Sequence, residues 1–125
     1  MNKKEFSNAR VLLGKTQKQM SHLLGTSLKA IESYEQGWRK IPVHIERQVL
    51  FLLALRNPRK GTEPCWIVQS CPEEERNNCP AWEFQCGDLC WFINGTICRG
   101  TREKNWETKM KTCRKCKVFK SCQSF

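Results

Sequence analysis

The chain has 125 residues, enough for one ordinary domain or two very small ones, with a formal net charge of +10 and nine cysteines. Its longest apolar run, VLFLLAL at residues 49–55, is far too short to span a bilayer. The opening MNKKEFSNARVLLGK lacks the apolar stretch of about 7–15 residues that a secretory signal needs, so a cytoplasmic protein with no membrane partner is expected.

Charge and cysteine divide the chain at the same place. Residues 1–60 hold twelve Lys or Arg against four Glu, a net charge of +8, and every cysteine lies between Cys65 and Cys122. Such an excess of positive charge on so small a unit points to a polyanionic partner, of which nucleic acid is the usual one, although surface charge also serves solubility.

Phe6, Ala9, Leu12 and Leu13 recur at helical spacing, which predicts a first helix over residues 3–13 ending at Gly14. Thr16 supplies an N-cap for a short helix from Gln17 to Leu24 with Met20, Leu23 and Leu24 inward. Gly25 makes the turn, and Ser27 caps a third helix from Leu28 to Gln36, ended by Gly37, with Ile31 and Tyr34 facing the core. After the basic loop WRKIP, Pro42 opens a fourth helix to about Arg56 with Ile45, Val49, Leu52 and Leu53 on one side; the end of this helix reads equally as core or as a dimer seam. His22 and His44 are expected to be exposed and without chemistry.

Two short helices joined by a glycine turn have the layout of a DNA-reading helix-turn-helix. The run TQKQMSHLLGTSLKAIESYEQGWRKIP is similar to the phage-repressor and Cro-like family of bacterial transcription regulators, carried by Thr16-Gln17, Leu24-Gly25, Ile31, Tyr34-Glu35 and Gln36-Gly37. The resemblance covers nearly all of residues 5–57 and departs at Ser21 and Tyr34, where alanine and an aliphatic are usual. It implies that the third helix enters the major groove. Leu28, Lys29, Glu32 and Ser33 then lie opposite the core face, with Lys29 donating to guanine and Leu28 touching a thymine methyl. Gln17 and Ser27 at helix starts, and Trp38, Arg39 and Lys40 in the following loop, are the expected backbone contacts. The same resemblance implies an Arg10–Glu35 ion pair and binding to a double-stranded operator as a homodimer.

A linker, PRKGTEP at residues 58–64, separates this domain (1–57) from a cysteine-rich one (65–125). Prolines and glycines fragment the second domain into short helical turns and loops, with one longer helix expected from Lys104 to Met110 or slightly beyond. Trp66, Ile67, Val68, Trp82, Phe84, Trp91, Phe92, Ile93, Ile97, Trp106 and Phe119 make a thin core. Units of this size commonly need a staple, and in a reducing compartment thiolate-bound metal is favoured over disulfides, contributing on the order of 10 kcal/mol to folding. The fold class expected is therefore mainly α: a small helix-turn-helix bundle followed by a loop-rich, metal-stapled domain. Zinc knuckles call for paired C-x2–4-C motifs. Only Cys113-x-x-Cys116 and Cys86-x3-Cys90 qualify, so the spacing does not select zinc over iron–sulfur.

A second resemblance bears on that choice. Cys65, Trp66, Cys71, Pro72, Cys79, Pro80, Ala81, Trp82, Cys90, Trp91, Gly95, Thr96, Cys98, Cys113, Cys116 and Phe119 follow the order seen in the cysteine-rich two-CW module of sensor kinases, chemotaxis receptors and regulators of anaerobic bacteria. It implies sensing of redox state or of a metal centre. Cys65, Cys71, Cys79, Cys90, Cys98, Cys113 and Cys116 are the candidate ligands of a 4Fe-4S cluster or, alternatively, zinc. Cys86 and Cys122 fall outside the pattern and rank second. The basic stretch from Lys109 to Lys120 either touches DNA or balances the charge of a thiolate cluster. An enzyme acting on a small-molecule substrate is not expected: no base sits beside a nucleophile, and no phosphate-binding loop is present.

Overall fold

A computed structural model describes residues 1–56, 64–98 and 101–122, with side chains described as far as Lys120. The chain is mainly helical and divides between residues 57 and 58 into two compact units. Most of the linker expected at 58–64 lies outside the described residues.

The first unit contains α1 (Lys3–Leu12), α2 (Gln17–Leu24), α3 (Leu28–Gln36) and α4 (Val43–Arg56). Short polar caps set these boundaries. Asn2 and Thr16 each form a reciprocal capping box: Thr16 Oγ1 accepts from the Gln19 amide at 3.1 Å, while Gln19 Oε1 accepts from the Thr16 amide at 2.9 Å. Ser27 Oγ accepts from the Ala30 amide at 3.1 Å. Gly25 and Gly37 close α2 and α3 in the left-handed region, at φ 67° and 79°, where any side chain would be strained. The third helix packs on α1 and α2, and α4 packs on both of them. Between them Phe6, Ala9, Leu13, Met20, Leu24, Ala30, Ile31, Tyr34, Ile41, Ile45, Val49 and Leu53 form one apolar core. Phe6 meets Tyr34 edge to face at 5.6 Å.

Two inward assignments are corrected. Leu23 is 44% exposed and Leu12 is also exposed, whereas Ser21 is buried, its hydroxyl donating to the Lys18 carbonyl. The i, i+4 pair of Met20 and Leu24 already fills the core side of α2, and residue 23 rotates away from it. On α4, Leu50 is fully buried and Leu52 only partly so.

The second unit is built from short pieces: α5 (Cys65–Val68), α6 (Glu73–Asn77), α7 (Pro80–Glu83), α8 (Cys90–Ile93), the antiparallel pair β1 (Ile97–Cys98) and β2 (Thr101–Arg102), α9 (Trp106–Cys113) and α10 (Lys117–Cys122). Pro64 and Pro72 stand just before α5 and α6, and Pro80 opens α7, positions where the missing amide hydrogen costs nothing. Asn105 Oδ1 caps α9 by accepting from the Thr108 amide at 2.8 Å. That helix starts two residues later and ends three residues further on than Lys104–Met110, and α10 is a further element that the fragmented reading does not contain.

Trp91, Trp106, Met110, Val118 and Phe119 are buried, with Trp91 edge to face on Phe119 at 5.6 Å. Ile67 and Phe84, placed in the core by composition, are exposed. Ala81, Met110 and Val118 fill that role instead.

Candidate functional sites

On α3, Leu28, Lys29, Glu32 and Gln36 are exposed along one side, while Ala30, Ile31, Ser33 and Tyr34 are buried. Ser33 is thus a correction to the expected contact face. It is 8% exposed, and its hydroxyl donates to the Lys29 carbonyl at 2.9 Å, so it serves the helix. Gln36 joins the exposed side; its position one turn after Glu32 was the available signal. Ser27 is exposed and committed to capping. In the loop that follows, Trp38 is 80% exposed beside exposed Arg39 and Lys40.

Behind this face, the Glu35 carboxylate ties three helices together. Arg10 Nε donates to Oε1 and Arg10 Nη2 to Oε2, and Gln17 Nε2 donates to Oε2 at 2.7 Å. Arg10 Nη1 also donates to the Lys15 carbonyl at 3.0 Å, so α1, the loop before α2, and α3 share one charged network. Gln17 therefore works inside the unit. His22 and His44 are exposed.

The second unit carries an open cavity of about 710 Å³ whose walls hold seven thiols, Cys65, Cys71, Cys79, Cys90, Cys98, Cys113 and Cys116. They come from four places: the first residues of α5 and α8, the loops around α6, the short β1 strand, and the turn from α9 into α10. Trp66, Trp82 and Trp91 line the same cavity, and Trp66 meets Trp82 edge to face at 4.9 Å. Cys86 Sγ lies near the Phe84 carbonyl, 3.3 Å away, and does not line the cavity; the side chain of Cys122 lies outside the described residues. No disulfide joins any two of the eight described cysteines. Among the described residues, no group of three or more His, Cys, Asp or Glu side chains converges to hold a single metal ion.

Within the cavity the thiols influence one another. A hydrogen bond with Cys65, burial, and the neighbouring sulfurs of Cys65, Cys113 and Cys116 push the Cys90 thiol far above the ordinary thiol range. Burial pushes Cys113 up to about 11; the Lys109 ammonium opposes the shift, and Cys98, Cys116 and Glu103 add to it. Burial and the neighbouring sulfurs thus disfavour the thiolate form of Cys90 and Cys113.

Three polar side chains that cysteine spacing does not reveal serve the cavity. Gln69 Nε2 donates to Cys116 Sγ at 2.9 Å, and Asn94 Nδ2 donates to Cys79 Sγ at 3.3 Å. The Asn94 side-chain oxygen is itself fixed, accepting from the Ala81 amide at 2.7 Å. Lys109, only 1% exposed, donates to the Trp91 carbonyl and lies 5.0 Å over the Trp106 ring. This burial removes Lys109 from the basic stretch that was a candidate for touching DNA and sets it on the cavity wall. Gln69 lies one helical turn after Cys65, the one place where spacing could have flagged such a donor.

The chain matches no known protein family, no characterised protein and no solved structure. No described helix is long and apolar enough to cross a membrane.

Proposed function

We propose that this chain is a DNA-binding transcription regulator whose second unit holds an iron–sulfur cluster, best read as 4Fe-4S, and whose operator binding responds to redox state or oxygen. The observation that carries this reading is the single cavity of about 710 Å³ lined by seven thiols. In a tetranuclear cluster each thiolate meets its own iron, so the sulfurs must surround a space rather than meet at a point. Amide N–H groups donating to Cys116 and Cys79 sulfurs, tryptophan walls and a buried lysine are the features that stabilise and tune such a centre. When bound, the cluster supplies a one-electron redox change and sensitivity to oxygen. The chain's own residues orient the sulfurs and compensate negative charge.

For the first unit, the exposed side of α3 with Lys29, followed by Trp38, Arg39 and Lys40, supports insertion into the major groove with flanking phosphate contacts. One reading head of this size gives little specificity, so the operator is bound by a homodimer. Loss or oxidation of the cluster would change how two heads are held and hence operator affinity.

The deciding experiment is anaerobic purification with visible absorption and iron, sulfide and zinc analysis. A brown protein with about four irons and four sulfides per chain supports the cluster, and its operator affinity should then change on exposure to air. A colourless protein with one or two zincs per chain overturns it in favour of a structural zinc module that dimerises the protein or docks a partner.

A further inference from the structure

We infer that the second unit carries a DNA-contacting surface of its own, in which Lys111, Lys115, Lys117 and Lys120 lie against the phosphate backbone of the duplex. This surface is additional to the reading head of the first unit, and its assignment rests on the reading that the chain binds double-stranded DNA.

Charge is segregated within the second unit. Residues 73–88 hold four Glu and one Asp against one Arg, whereas residues 99–120 hold nine Lys or Arg against two Glu, and no acidic residue follows Glu107. A surface that serves only solubility is best made of both signs interspersed. One sign gathered on consecutive elements makes a field that attracts a polyanion.

Packing decides which of these charges face outward. Trp106, Met110 and Cys113 hold one side of α9 in the interior, and Val118 and Phe119 do the same for α10. Lys109 is buried with them, whereas Lys111, Lys115, Lys117 and Lys120 are exposed. The turn between the helices is tight: the Lys115 amide donates to the Thr112 carbonyl at 3.1 Å, and the Cys116 amide to the Cys113 carbonyl at 2.9 Å. Lys111 and Lys115 thus stand four residues apart along a nearly continuous helical path, and Lys117 and Lys120 share a face of α10. Glu107 is the one acidic residue on the two helices, and among the described residues no carboxylate is ion-paired with any of the four lysines. Like charges at these spacings repel, and phosphates that neutralise them relieve the repulsion.

Lys115 and Lys117 also border the thiol-lined cavity, whereas Lys111 and Lys120 stand clear of it. Phosphate contacts carry no sequence information, so this surface adds affinity without changing which operator is read. Because both units belong to one chain, it acts as a tethered second site whose contribution is raised by effective concentration.

The test measures binding of the full chain to a mixed-sequence DNA duplex at several salt concentrations, for the wild type and for K111A/K120A, the pair outside the cavity. The variant should lower the slope of log affinity against log salt by about 2, close to one for each phosphate no longer neutralised, with metal content and helical signal unchanged. Combined with R39A/K40A, the loss of slope should add to about 4. An unchanged slope in K111A/K120A overturns the surface. So does a K115A/K117A variant that loses bound metal with its slope unchanged, since those lysines then serve the cavity. A wild-type chain that does not bind the duplex overturns the DNA-binding reading itself, and this surface with it.

Discussion

Glu35 accepts from Arg10 and Gln17 with a side chain that is one-tenth exposed, so neither the carboxylate nor the guanidinium can easily exchange its partner for water. Replacing it by alanine strands a partly buried cation and should destabilise the first unit by about 2–3 kcal/mol. The R10A/E35A double variant should lose less than the sum of the two single changes, and urea midpoints read by helical circular dichroism give both numbers. Gly87 is limited by space. A Cβ there would lie 2.8 Å from Pro64 Cα and 2.9 Å from the Cys65 backbone nitrogen, and backbone cannot step aside cheaply. Under the proposed function, G87A should therefore part the two CW helices and lose most of the bound iron, while the helical signal of residues 1–56 stays unchanged. Retention of full iron content would show that the approach of these segments is not needed for loading.

At the scale of elements, the exposed side of α3 and the loop behind it have separable roles under the proposed function. K29A should reduce discrimination between operator and mutated operator by about 1–3 kcal/mol with little change in salt dependence. R39A/K40A should weaken binding to all DNA alike and lower the salt slope by about 2, one for each phosphate that is no longer neutralised; titrations at several salt concentrations separate the two. The four helices of the first unit were readable because capping oxygens at Thr16 and Ser27 and glycines at 25 and 37 mark their ends directly. Which way Leu23 and Ser33 point was not, since on helices of eight and nine residues several adjacent faces satisfy the same apolar spacing. In the second unit, helices of four or five residues are too short to show a period, and their positions follow from contacts made by residues far apart in sequence, such as Cys65 with Gly87. The seven wall cysteines were legible by type and order alone; Gln69, Asn94 and Lys109 were not, because amides and lysines carry no pattern until the chain has folded around sulfur.

For the whole molecule, the two units differ in what holds them together. The first has a continuous core of twelve buried residues, including Phe6, Met20, Ile31 and Tyr34, whereas the second surrounds much of its interior with thiols. Under the proposed function, stripping metal from the full chain should unfold the second unit alone. Tryptophan emission, dominated by Trp66, Trp82, Trp91 and Trp106, should shift to the red, while the melting of the remaining helical signal should match that of the untreated protein. An unshifted emission would mean that the apolar cluster around Cys65 and Val118 suffices without metal. The wall of the cavity also has a direction in time, because its sulfurs are spread from Cys65 to Cys116 and the last of them follow all the rest. At about 5–20 residues added per second and with domains folding as units, the first unit can complete its core before the last cysteines are free to take part in folding. Under the proposed function, every new chain then passes through a period with a finished reading head and an unfinished metal pocket, and the fraction that leaves this state follows how much iron is at hand.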